Sequence, residues 1–191
     1  MTHEDRQRWD DRYRAADDWQ TENQPFPWLV SHVPAGHGSL PLHGGLALDL
    51  ACGLGHNAIW LAGQGYRVVG MDVSRVGLMR AAESARQRGV ADRVAFVQAD
   101  LDAFRPAPDS VDLISVIRYL NRAMFPALAA ALRPGGVLIY ATFNASRSET
   151  HSDVNPAYLL QPGELRTAFP GLVVTDSDER DGMSYLAARR A

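Results

Sequence analysis

The sequence contains no lysine; all 19 of its basic residues are arginines, scattered along the chain. Against 22 acidic residues they leave a formal charge of −3. Such a chain has no general attraction for polyphosphate, so a nucleic-acid partner is not expected. Cysteine occurs once, as Cys52, which excludes an intrachain disulfide framework and a cysteine-based zinc site. No apolar run approaches the ~18 residues of a membrane span, and the opening Met1-Thr2-His3-Glu4-Asp5-Arg6 has no apolar signal core. The expectation is a cytoplasmic protein with no membrane partner and no metal, acting as a monomer or homodimer.

What is present is ordinary for a globular protein: 46% hydrophobic and 21% charged residues over 191 positions, enough for one packed domain. Residues 4–16 mix charges around Trp9 and Tyr13, which stand four apart and share a helix face. The stretch from Pro25 to Gly45 reads as a loop or loosely helical connection. From Leu46 a regular alternation begins. Leu46–Cys52, Arg67–Val73, Val94–Asp100, Val111–Arg118 and Val137–Phe143 read as strands. Helices fall over Asn57–Gln64, from a Ser74 cap to Gln87, and around Phe125–Leu132. Gly89 is placed to close the second of these, and Arg133-Pro134-Gly135-Gly136 the third.

Apolar strands alternating with helices imply a parallel sheet covered on both faces. The end breaks that pattern. Leu172–Asp176 and Ser184–Ala188 are too close for a crossover helix, so they form an antiparallel hairpin with Asp181-Gly182 in the turn. The expected fold is α/β, doubly wound, with a mostly parallel seven-stranded sheet and an antiparallel C-terminal hairpin.

In such a sheet the ligand sits at the carboxyl ends of the strands. The first end is Asp49-Leu50-Ala51-Cys52-Gly53-Leu54-Gly55, where Gly53 and Gly55 allow a sharp turn and close approach of the backbone to a ligand. Alone, this loop fits a dinucleotide fingerprint with Asp72 as the ribose acid, or a tight turn with no ligand. The second end, Asp72, can accept ribose hydroxyls. The third, Asp100-Leu101, can take the exocyclic amine of adenine on the carboxylate and a ring nitrogen on the next amide. A second acid at that place is not part of a dinucleotide site.

Taken together these motifs resemble the class I S-adenosylmethionine-dependent methyltransferases, and among them the small TehB-type (tellurite-resistance) group. Leu48–Asn57 is similar to the family's first motif, with Ala51 where many members have glycine. Val69–Ser74 matches the second, and Ala99-Asp100-Leu101 the adenine-contact motif. Arg118–Arg122 resembles the segment after strand four, Leu132–Gly136 the turn before strand five, and Arg8–Tyr13 the N-terminal helix that folds over the cofactor.

The resemblance implies a Rossmann-like core over 46–191 with 1–45 as helix and cap, one methyltransferase domain in all. The cofactor would be S-adenosylmethionine, released as S-adenosylhomocysteine. Gly53 and Gly55 would line its methionine portion and Asp49 would hold the loop. Asp72 would bind the ribose, with Val73 near the adenine held by Asp100 and Leu101. Ile117 would face the cofactor. Tyr13 and Trp9 would close over the amino-acid end. Arg118 and Tyr119 would position the acceptor, a small molecule that could be tellurite, a selenium compound or a thiol.

A methyl sulfonium is already activated, so alignment and exclusion of water are the protein's main tasks. A base is needed only for a protonated, weak acceptor, and no residue stands out as one. Arg122 could support an oxyanionic acceptor. The histidines His32, His37, His43, His56 and His151 fit no metal spacing and read as solvated loop residues, His56 alone being near the glycine loop. Cys52 reads as a small apolar residue inside the loop. Two other functions remain open on sequence alone: an NAD(P)-dependent oxidoreductase, and a sensor that binds S-adenosylmethionine without turnover.

Overall fold

The computed structural model describes residues 3–15, 24–33, 45–149 and 155–191. His37, His43, His151 and the end of the 4–16 stretch lie outside the described residues. Seven strands form one sheet in the order β3-β2-β1-β4-β5-β7-β6. They are β1 (Leu46–Leu50), β2 (Arg67–Asp72), β3 (Val94–Gln98), β4 (Val111–Ile117), β5 (Leu132–Phe143), β6 (Leu172–Arg180) and β7 (Met183–Arg190). Among the described residues six α-helices accompany them: α1 (His3–Ala15), α2 (Pro27–His32), α3 (His56–Gly63), α4 (Arg75–Gln87), α5 (Phe125–Ala131) and α6 (Glu164–Thr167). The chain divides into two compact units, Met1–Phe104 and Arg105–Ala191.

In the first unit β1, β2 and β3 run parallel, with Leu50 beside Met71 and Asp72 beside Gln98. α4 begins as its sequence dictates. Ser74, in extended conformation, accepts the Gly77 amide at 3.0 Å, and Leu78, Ala81 and Ala85 bury the inner face. Gly89 follows at φ +68, the left-handed stop expected of it. α2 gives the Pro25–Gly45 stretch a true helical turn, with Trp28 and Leu29 buried.

The connection from β3 to β4 carries no helix. Pro106 and Pro108 explain this, since each removes an amide donor and crowds the preceding turn.

In the second unit β4 runs parallel to β5, while β7 is antiparallel to both β5 and β6. The β6–β7 connection is Asp181 at φ 53 and Gly182 at φ 72. Two successive left-handed residues make a type I′ turn, matching the strand twist. Phe125, Tyr140 and Phe169 form an aromatic core, with ring centroids 4.9–6.0 Å apart.

Arg133-Pro134-Gly135-Gly136 departs from expectation. It is not a free turn before β5 but lies inside it. Val111 pairs with Leu132 and Leu113 with Val137, so these four residues form a bulge opposite a single β4 position. Gly135 takes φ +81 there, and a Cβ on Gly136 would stand 2.9 Å from the Arg133 carbonyl. Arg189 closes the bulge by donating Nε–H to the Gly135 carbonyl at 3.0 Å.

Candidate functional site

The carboxyl ends of β1, β2 and β3 bring Asp49, Asp72 and Asp100 into the first unit's loop region. Asp49 is 1% exposed, and its Oδ2 accepts the Ala58 amide at 3.1 Å. It therefore serves the first turn of α3 as a remote cap, its charge complementing the helix N-terminus.

Asp72 is 6% exposed and holds the loop itself. Its Oδ2 accepts the Gly53 amide and its Oδ1 the Ser74 amide, each at 2.8 Å. Burial raises its pKa above the ordinary carboxylate value, and the amides of Ser74, Gly53 and Val73 oppose part of that rise. A carboxylate has about four lone-pair positions, so acceptor capacity remains beyond those amides.

The loop between Asp49 and α3 holds three left-handed residues: Ala51 at φ 55, Gly53 at φ 53 and Gly55 at φ 75. The two glycines do different work. A Cβ on Gly55 would stand 2.8 Å from the Ala81 methyl and 2.9 Å from the Phe96 ring, so Gly55 allows α3, α4 and β3 to pack. The nearest atoms to a Cβ on Gly53 would be those of Tyr13, its hydroxyl oxygen at 2.5 Å. Only Gly53 opens its Cβ side to a movable group.

Tyr13 reaches this place from α1. Its ring also passes over Gly77, whose Cβ would lie 3.0 Å from Tyr13 Cδ2. Burial, with Asp72 and Cys52 close by, raises the phenol pKa above the ordinary tyrosine range, so the hydroxyl keeps its proton. Trp9 stacks on Tyr13 at 5.8 Å, and Arg12 lies 5.2 Å from the Trp9 ring.

Val73 and Leu101 are buried, at 3% and 0% exposure. Val73 offers its carbonyl to Gln98 Nε2 at 2.9 Å. What Leu101 has for a ligand is its backbone. Asp100 is half-buried, and its Oδ1 accepts the Asp102 amide at 2.9 Å. The Cys52 thiol is pushed well up by burial and by Asp49 and Asp72, which keeps it protonated.

Two residues here escape a sequence reading. Asp10 of α1 accepts the Ser74 hydroxyl and, at 3.1 Å, the Val76 amide. Asn57 Oδ1 accepts the Phe26 amide at 2.8 Å, pinning the start of α2. The one available signal for Asp10 is its spacing of three from Tyr13, which places both on one helix face. His32 is not a solvated loop residue. Its ring lies tilted against Trp28 at 4.0 Å, with Nδ1 2.8 Å from the Trp28 carbonyl.

In the second unit Ile117 closes β4 opposite Ala141, and Arg118 follows at φ 58. Arg118 is exposed, and among the described residues its guanidinium has no hydrogen-bond or ion-pair partner. A non-glycine residue in the left-handed region at a strand's carboxyl end is the kind of strain found at working sites. Tyr119 is half-buried, and its carbonyl accepts the Tyr140 hydroxyl at 2.9 Å.

Arg122 is not available to an acceptor. Its Nη2 donates to Glu164 Oε2 at 2.8 Å and to the Leu159 carbonyl at 2.9 Å, and its Nε donates to Glu164 Oε1. It braces the chain around residues 157–164. Among the described residues no group of three or more His, Cys, Asp or Glu could hold a metal, and no helix is long and apolar enough to cross a membrane.

Residues 47–136 match a family model described as a methyltransferase domain. The trans-aconitate 2-methyltransferase of Paracidovorax citrulli is 37% identical over 134 residues, 66% of this chain and 46% of that protein. The tRNA 5-carboxymethoxyuridine methyltransferase of Escherichia coli K12 is 34% identical over 113 residues, 56% of this chain and 43% of that one. The chain thus spans about half the length of the curated relatives it matches. An S-adenosylmethionine-dependent methyltransferase structure from Mesorhizobium loti superposes with a TM-score of 0.66 at 19% identity, covering 93% of this chain and all of that one.

Proposed function

We propose, from the methyltransferase domain that residues 47–136 match, that the chain is a class I S-adenosylmethionine-dependent methyltransferase acting on a small oxyanionic molecule. One observation carries the cofactor reading. The acids at the carboxyl ends of β1, β2 and β3 accompany a left-handed glycine loop that Asp72 holds by the Gly53 amide. The residues present fit the group. Asp72 is a buried acceptor for ribose hydroxyls, and Asp100 with the Leu101 amide suits the edge of adenine. Tyr13 keeps a neutral hydroxyl over Gly53 to receive or donate a hydrogen bond at the amino-acid end.

The cofactor, when bound, supplies a methyl on a cationic sulfur, an electrophile that needs no further activation. The chain's residues bind, orient and keep water out. Ile117 closes its strand with an apolar side chain. Arg118 supports an oxyanionic acceptor with its exposed guanidinium, unpartnered among the described residues. An acceptor that is already anionic needs no general base. Tyr119 is the second positioning group.

Carboxylates are one class of such acceptors, and both relatives named above carry a carboxyl-bearing substrate in their names. The TehB resemblance adds tellurite and selenium oxyanions. The charge of −3 supports a small molecule over RNA.

Calorimetry with S-adenosylhomocysteine and with NAD(H) tests the cofactor. Asp72→Ala should abolish S-adenosylhomocysteine binding; binding of NAD(H) alone overturns the reading. A labelled-methyl assay across carboxylates, tellurite, selenite, thiols, amines, phenols and tRNA tests the acceptor. Label in tRNA alone would refute the small-molecule assignment.

A further inference from the structure

α1 has an unusual attachment. It is 13 residues long, and none of its described side chains is fully buried. A helix of that length is marginal in water by itself, and this one docks only the half-buried Trp9 and Tyr13 as its large apolar groups. Its contacts with the rest of the first unit must therefore hold it. The polar ones gather at the start of α4. Asp10 Oδ1 takes both the Ser74 hydroxyl and the Val76 amide, and Arg80 donates to the Arg14 carbonyl at 3.3 Å.

α4 has no need of Asp10 for its own cap. Ser74 already provides one, with its Oγ accepting the Gly77 amide at 3.0 Å. Asp10 comes in addition, from another element 66 residues away in sequence. What it does fix is the rotation of α1. Tyr13 stands one turn on from Asp10 and projects from the same face. Once Asp10 is seated, the Tyr13 ring lies over Gly77 and its hydroxyl over Gly53.

The path to the glycine loop is continuous. Asp10 holds Ser74, the Ser74 amide donates to Asp72 Oδ1, and Asp72 Oδ2 accepts the Gly53 amide. Asp10 and Tyr13 thus approach one loop from two sides, one through hydrogen bonds and one by direct contact.

We propose that Asp10 is a positioning residue for the cofactor site: by clasping Ser74 and Val76 at the start of α4 it sets the rotation of α1 that lays Tyr13 over Gly53. The clasp stands on the contacts above, and its effect on ligand binding rests on the S-adenosylmethionine reading.

A double-mutant cycle on the full chain tests it, with S-adenosylhomocysteine as the probe. Asp10→Ala should weaken binding about tenfold, whereas in a Tyr13→Ala background it should change binding by less than about twofold. Asp10→Asn retains an acceptor oxygen and should stay within about threefold of the wild type. Equal effects of Asp10→Ala with and without Tyr13 overturn the proposal.

Hydrogen exchange of the unliganded protein reads the clasp directly. Asp10→Ala should speed exchange over residues 4–15 about tenfold and leave residues 78–87 unchanged, with Asp10→Asn near the wild type. Unchanged exchange over 4–15 refutes the clasp. Absence of S-adenosylhomocysteine binding to the wild type counts against the methyltransferase reading instead, and the exchange experiment still decides the role of Asp10.

Discussion

The Tyr13 hydroxyl and a β-carbon on residue 53 would claim one space, 2.5 Å apart. Gly53→Ala must therefore move the tyrosine, and it also puts a side chain at φ +53. The strained backbone costs about 1–2 kcal/mol, which for a chain this size lowers Tm by roughly 2–8 °C. The neighbour is the far end of a side chain, so the variant should still fold. Affinity for S-adenosylhomocysteine should fall at least about tenfold. Scanning calorimetry and titration calorimetry measure the two effects separately, and unaltered affinity would mean that Tyr13 does not border the cofactor.

Ala51 makes the opposite case. It holds φ 55 with a methyl group in place, in a loop where glycine is the unstrained choice. Ala51→Gly relieves that strain but adds freedom to the unfolded chain. The balance should be a gain of about 0.5–1 kcal/mol, read as a higher denaturation midpoint with an unchanged urea m-value. A lower midpoint would show that the loop does not strain Ala51.

Arg118 should separate stability from activity. Arg118→Gly releases a left-handed arginine at φ 58 and loses no described side-chain partner. Tm should rise by about 2 °C, while methyl transfer to an anionic acceptor should fall by about tenfold or more. Arg118→Lys should recover part of that transfer, since the charge returns without the planar fork. Full activity in the glycine variant would move acceptor binding elsewhere.

The Arg122–Glu164 pair makes a prediction about pH. Arg122 holds the Glu164 carboxyl below its ordinary range, and burial opposes this. A depressed carboxylate stabilises the fold above its unfolded pKa, about 4.3. That contribution fades as pH falls through the lower folded value. With 43% of the Arg122 side chain and 24% of Glu164 exposed, solvent screening limits the pair to about 1 kcal/mol. Glu164→Gln should therefore be less stable than the wild type at pH 7, and the gap should close as pH falls through the lowered Glu164 value. A gap that persists in acid would assign the loss to packing rather than charge.

Much of the fold is visible in local chemistry. Ser74 and Gly89 bound α4 because cap preferences act over a few residues, and Asp181-Gly182 determines its turn because few residues tolerate two left-handed conformations in succession. The strand-end acids can be read for the same reason. The rest depends on partners far off in sequence. Whether Arg133–Gly136 is a turn or a bulge is decided by pairing with β4. Arg122 looks available until Glu164, 42 residues on, is placed against it. Gly55 looks interchangeable with Gly53 until Phe96 and Ala81 fill its Cβ side, where Gly53 faces Tyr13. Asp10 lies in a run of mixed charge, and only its contacts with Ser74 and Val76 distinguish it from Asp11.

Cys52 is the chain's one thiol, and it sits at the turn of the glycine loop beside Asp49 and Asp72, held protonated. Alkylating reagents attack thiolates, so modification is slow while half-buried Cys52 stays protonated, and opening of the loop speeds it. The speed at which a thiol reagent consumes this protein is thus a stopwatch for loop opening. Its single hand sits in the loop that joins β1 to α3, and it can be timed before any ligand is known.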